Sequence, residues 1–130
     1  MKARSLIIVL FMALLAIFTV GEALAAGQWY WYDVTVPSIG RHTDTYNQTK
    51  EATGQASVDS YQIGGDYDLN IRLELVDNTV KSSWYRINDG TFLRYNNTAT
   101  ADQVVHMRLQ SDYTDPVSIE ANGYWSPDNP

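Results

Sequence analysis

In the stretch YDLNIRLELV, Tyr67, Leu69, Ile71, Leu73 and Leu75 alternate with Asp68, Asn70, Arg72 and Glu74. A period of two puts the first set on one face of a strand and the second on the other, so the apolar face meets a core and the four polar residues face solvent. The same alternation sets Val105, Met107 and Leu109 against His106, Arg108 and Gln110, and Val117, Ile119 and Ala121 against Ser118, Glu120 and Asn122. Turn-forming residues separate these runs: GGD at 64 to 66, DN at 77 to 78, NDG at 88 to 90, NNTATAD at 96 to 102 and TDP at 114 to 116. No long apolar stripe at helical spacing and no internal repeat interrupts them. The pattern predicts an all-β domain, a small antiparallel β-sandwich or barrel of about six to eight strands.

The aromatic run in QWYWYDVTVP obeys the same rule. Tyr30, Tyr32, Val34 and Val36 form one apolar face, and Trp29, Trp31, Asp33 and Thr35 form the other. The tryptophans are therefore expected outside, either covering a sheet end against the C-terminal GYWSP or forming an aromatic surface for sugar rings or a membrane interface. Around NDG the number of loop residues decides which side chains share a face. A three-residue loop, with Gly90 left-handed, gathers Tyr85, Ile87, Leu93 and Tyr95 on an inner face. It leaves Trp84, Arg86, Phe92 and Arg94 outside, with Trp84 opposite Arg94 and Arg86 opposite Phe92 as cross-strand cation–π pairs. The segment SIGRHTDTYNQTKEATGQAS is the least strand-like part of the chain, an edge strand or a mobile loop.

The N-terminal end departs from this alternation and sets the compartment. Lys2 and Arg4 precede the apolar run Leu6 to Val20, which falls short of the roughly 20 residues of a spanning helix. Ala23 and Ala25 then provide the small residues that signal peptidase requires. Residues 1–25 are read as a cleaved signal peptide and 26–130 as a single β domain, secreted and extracellular, with no stable membrane insertion after cleavage. Loss of Lys2, Arg4 and Glu22 reduces nine basic and fifteen acidic residues to seven and fourteen, a net charge of −7. Such a domain is a poor partner for nucleic acid or an anionic lipid surface. With no cysteine there are no disulfides and no thiolate sites, and a small exported domain without them points to a Gram-positive bacterium.

Catalytic patterns are thin. Asp66, Asp68 and Asn70 have the alternate spacing that opens a calcium loop, but Ile71 and Asp77 stand where such a loop needs glycine and glutamate. His42 and His106 are isolated, with no zinc-binding pair and no nucleophile elbow. Fourteen acidic residues guarantee chance pairs, Glu74 with Glu120 being an example that glycoside chemistry could use, but acidic residues on outward strand faces are the usual solvated surface. No catalytic residue, metal or cofactor is assigned, and the chain is expected not to be an enzyme. The candidate binding residues are Trp29, Trp31, Trp84, Arg86, Phe92, Arg94 and Trp125.

The export signal, the aromatic first strand, YNQTKEATG, the central SWYRI and the closing ANGYWSPDNP resemble small uncharacterised secreted proteins of Gram-positive bacteria. More distantly the layout is similar to lactococcin-type bacteriocins, which are cysteine-free and rich in Tyr, Trp, Asn and Thr on a small β-sandwich. This chain is longer and acidic, and no catalytic residue carries over. The resemblance implies a secreted, non-enzymatic binding or interaction protein acting at or outside the cell envelope, with cell-wall glycan or another envelope component as partner. A bacteriocin-like antimicrobial and a small glycan-processing enzyme are the two alternatives.

Overall fold

The computed structural model describes residues 27–130, and the expected leader lies outside the described residues. Nine strands follow in order: β1 (Tyr30–Val36), β2 (His42–Asp44), β3 (Gln48–Thr49), β4 (Ala56–Ile63), β5 (Leu69–Leu75), β6 (Tyr85–Ile87), β7 (Phe92–Tyr95), β8 (Val104–Gln110) and β9 (Ile119–Ser126). A single 3₁₀ turn, Gly64–Asp66, joins β4 to β5. The short strands β2 and β3 bring the total slightly above the expected number. Among the described residues no helix is long and apolar enough to cross a membrane.

All pairings are antiparallel. One sheet has four strands in the order β1-β9-β4-β7, and the other has β2-β8-β5-β6 with β3 also pairing β8. The inner faces meet in one core. Tyr32, Val36, Val58, Ile63, Ile119 and Trp125 come from the first sheet, and Leu69, Ile71, Leu73, Ile87, Met107 and Leu109 from the second. Burying a large aliphatic or aromatic side chain stabilises by about 1.5–3 kcal/mol, which lets a domain without disulfides hold together. Trp125, expected at the binding surface, is only 1% exposed and belongs to this core. Its position follows from Ile119, Ala121 and Gly123, whose alternation carries on to Trp125 and turns it inward.

Three further expectations are corrected. The segment at 88 to 90 is not a hairpin, because β6 pairs with β5 (Ile71↔Tyr85) while β7 pairs with β4 (Asp59↔Phe92). Gly90 is left-handed, at φ 72°, but the turn carries the chain from one sheet to the other. The Asp89 carboxylate accepts the Ile63 N–H and the Thr91 carbonyl accepts the Ser60 N–H, which draws β7 onto β4. The proposed Trp84–Arg94 and Arg86–Phe92 pairs therefore do not form. The inward and outward sets hold nonetheless, since both sheets turn their inner faces to the same core; Tyr85 and Tyr95 meet across it, 5.2 Å between ring centroids.

Val117 precedes β9 and is exposed rather than inward. Glu74, expected in solvent, is completely buried. It lies on the outer face of β5 as its period requires, but Arg72, His106 and Arg108 close over its oxygens.

Candidate functional site

The outer face of the four-stranded sheet gathers aromatic side chains from all four of its strands or their ends. Trp31 of β1 lies opposite Tyr124 of β9, which lies opposite Asp59 of β4, which lies opposite Phe92 of β7. A bulge between Ser60 and Gln62 inserts Tyr61 as an unpaired residue in β4, so Tyr61 and Gln62 both turn outward and Ile63 returns to the core. Trp31, Tyr61 and Tyr124 then stack edge to face in a mutual triad, with centroids 5.1, 5.6 and 5.8 Å apart. Trp29 sits 6.0 Å from Phe92. Between the two groups, Trp29, Asp59, Tyr61 and Tyr124 line a shallow pocket of about 230 Å³.

This geometry leaves Trp31 and Tyr61 each 50% exposed and Phe92 53% exposed. Edge-to-face packing fixes the orientation of each ring, so little side-chain freedom remains to be lost on binding. Along the same face the aromatic cluster gives way to amides and carboxylates. Asp33 lies opposite Asn122 and Asn122 opposite Gln62, with the Asn122 amide donating to the Gln62 oxygen at 3.4 Å. Asp33, Gln62, Asp89, Glu120 and Asn122 border an adjoining depression of about 380 Å³. Arg94 lies over the Phe92 ring at 5.2 Å, a neighbour two residues along β7 rather than a cross-strand partner.

The expected binding residues are thus divided. Trp29, Trp31, Phe92 and Arg94 share the aromatic face, Trp125 is in the core, and Trp84 and Arg86 lie outside the other sheet. There both are engaged within the fold. The Arg72 guanidinium covers the Trp84 ring at 4.2 Å. Arg86 donates to Asp112 at 2.8 Å and to Asp68 at 3.0 Å, which raises its pKa further and, chiefly through the Arg86 hydrogen bond, holds the Asp112 carboxyl below its ordinary value. Asp68 and Asn70, two of the oxygens in the calcium-like spacing, are partners of this same guanidinium.

Tyr61, Tyr124 and Asp59 were not anticipated. Tyr124 was within reach, because the alternation through Ala121, Gly123 and Trp125 leaves it outside; Tyr61 was hidden by the bulge.

The outer face of the five-stranded sheet carries a different arrangement. Asp44, Glu74 and His106 bring carboxylate and imidazole atoms within 4.8 Å of one another, a spacing a metal ion could use. Guanidinium groups stand at that place instead. Glu74 Oε2 accepts from Arg72 Nε at 2.6 Å, while Oε1 lies 3.1 Å from both Arg108 Nε and His106 Nε2. Arg108 also binds both oxygens of Asp44, at 3.0 and 3.3 Å. With its acceptors engaged by cationic donors, the group works as an ion-pair network that pins β2, β5 and β8 together. Glu120 lies across the molecule, opposite Thr35 in the four-stranded sheet, so Glu74 and Glu120 form no dyad.

No protein-family model and no curated protein sequence matches the chain. Among solved structures, the crystal structure of PirA is similar with a TM-score of 0.49 and 12% identity, over 73% of this chain and 93% of that one. At that distance the likeness identifies neither a family nor an activity.

Proposed function

We propose that this chain is a secreted, non-enzymatic binding protein whose ligand is a glycan of the bacterial cell envelope, held on the outer face of the four-stranded sheet. The compartment rests on the N-terminal leader and the sequence resemblance described above. The observation that carries the ligand class is the fixed aromatic cluster of Trp31 and Tyr61, each half-exposed, and the partly buried Tyr124, bordered by Asp33, Asn122 and Gln62. A sugar ring offers an apolar C–H face and a belt of hydroxyls. Aromatic rings suit the first, and paired amides and carboxylates, which accept and donate in fixed directions, suit the second. A contiguous exposed apolar surface with a polar border marks an interaction site in general.

Sedimentation with purified Gram-positive cell wall tests the proposal. Wild-type protein is expected to co-sediment, and Trp31→Ala, Tyr61→Ala and Tyr124→Ala to bind roughly tenfold more weakly each, equivalent to about 1.4 kcal/mol per ring. Trp84→Ala, on the opposite face, is the control and should bind as wild type. Unchanged binding by all three folded aromatic variants would remove this face from the function. Killing of related strains on a lawn, abolished by the same substitutions, would redirect the surface to the bacteriocin-like role.

A further inference from the structure

Lys50 directly follows β3 with its side chain wholly buried, a rare situation for lysine. Its Nζ lies 3.7 Å from Asp128 Oδ1 and donates to the Pro127 carbonyl oxygen. Asp128 is equally enclosed, at 2% exposure.

Every polar group of Asp128 is held. Its carboxylate accepts the N–H groups of Glu51 at 3.0 Å and Ala52 at 3.1 Å, its own N–H donates to Ser126 Oγ at 3.1 Å, and its carbonyl accepts from Ser57 Oγ at 2.9 Å. Gly27 packs against the side chain so closely that a Cβ there would run into that of Asp128. The amine and the carboxyl are therefore fixed beside each other in a site without solvent.

We propose that Lys50 and Asp128 join through an intramolecular isopeptide bond between Lys50 Nζ and Asp128 Cγ. In water an ammonium and a carboxylate stay charged, but in a dry site the charged forms carry a desolvation cost of several kcal/mol per ion. Burial lowers the lysine pKa, against the opposing pull of Asp128. Transfer of one proton from Lys50 Nζ to the Asp128 carboxylate yields a neutral amine and a neutral acid with no outside base.

The nitrogen lone pair then attacks Cγ. The Glu51 and Ala52 N–H groups, already directed at the carboxyl oxygens, stabilise the negative charge that develops there. The C–N bond forms, a C–O bond breaks, and the hydroxyl departs with a proton from nitrogen as one molecule of water. Nothing is oxidised or reduced, and no co-reactant enters. Fixed proximity supplies much of the rate advantage. The product ties the β3–β4 connection to the last residues of the chain, and so restricts the unfolded state as a disulfide would in a protein that has no cysteine.

Peptide mapping decides the matter. The full chain, expressed, purified in its folded form, then denatured and digested with trypsin, is expected to yield a branched peptide of residues 42–72 joined to 109–130. Its mass should be that of the two linear peptides less one water, with Lys50 and Asp128 as the branch point on fragmentation. Cleavage after Lys50, releasing 42–50 and 109–130 as separate linear peptides from folded wild-type protein, overturns the proposal. Lys50→Arg, which keeps the cation, and Asp128→Ala should give only linear peptides. A branched peptide persisting in either variant overturns the assignment as well. Should a variant fail to fold, the wild-type digest alone still decides.

Discussion

Tyr32 and Tyr95 place two phenolic hydroxyls inside the sandwich, beyond the reach of solvent. Burial is the main reason that the Tyr32 phenol is pushed up from about 10 to about 12, with the Ser60 hydroxyl working against the shift and the Asp59 charge adding to it. Burial also raises Tyr95, helped by the neighbouring Tyr85 and Tyr32 phenols. A phenol whose folded pKa is raised keeps its proton in the native state where the unfolded chain has lost it. The stabilisation is thus complete below pH 10 and declines as pH rises through 12, by on the order of 2–3 kcal/mol for Tyr32 alone. Urea melts taken between pH 8 and 12 are expected to show constant stability up to about pH 10 and a steep fall above it. The phenolate absorbance of two tyrosines should appear only with unfolding. Full titration of all nine tyrosines in native protein would contradict this. The inward position of Tyr32 was legible in the alternation of β1. The burial of Glu74 was not, because its partners His106 and Arg108 lie more than thirty positions away and no local pattern announces them.

At the level of elements, one residue in β4 decides the composition of the aromatic face. The run ASVDSYQI holds Ala56, Val58 and Ser60 inward, then spends Tyr61 as an unpaired residue before Ile63 regains the core. The insertion breaks the period of two midway, which is why this central strand escaped a reading based on alternation while β5 and β8 were plain. It also explains why β6 and β7 were legible as strands but not as members of different sheets. Their inner faces point at a common core, and a sequence pattern records which face is apolar, not which neighbour supplies the hydrogen bonds. Two changes at one position separate these roles. Tyr61→Ala removes a half-exposed ring and should cost about 1 kcal/mol or less. Deleting Tyr61 removes the bulge but keeps Ser60, Gln62 and Ile63 opposite Gly123, Asn122 and Ala121, so Gln62 stays outward, Ile63 stays in the core, and the cooperative thermal transition should survive. A deletion variant that loses its cooperative transition would show that the bulge itself is required for β4 to pair with β9.

On the scale of the whole molecule, the two outer faces have opposite characters, although both arise from polar-side positions of alternating strands. One face ends in aromatic rings that contact one another and leave about half of Trp31, Tyr61 and Phe92 free. The other ends in charges that satisfy one another and leave Glu74 no surface at all. The difference follows from reach. Arg72 and Arg108 carry their guanidinium groups back over the sheet and can cover a neighbour, whereas rigid rings standing on β1, β4 and β9 can only lean on each other. Stability and binding should accordingly separate by face. Glu74→Ala leaves His106, Arg72 and Arg108 facing one another without their shared acceptor, and is expected to destabilise by roughly 3 kcal/mol, the low end for breaking a buried pair because the two arginines keep some contact with solvent. Trp125→Ala, in the core, should cost about 3–5 kcal/mol. Trp31→Ala should cost about 1 kcal/mol or less, since half of its side chain never left water. When cell-wall binding is measured under conditions where every variant is folded, only Trp31→Ala should bind more weakly. If Glu74→Ala weakens binding while folded Trp31→Ala binds as wild type, the charged face is the one that meets the ligand and the aromatic face is covering for the sheet.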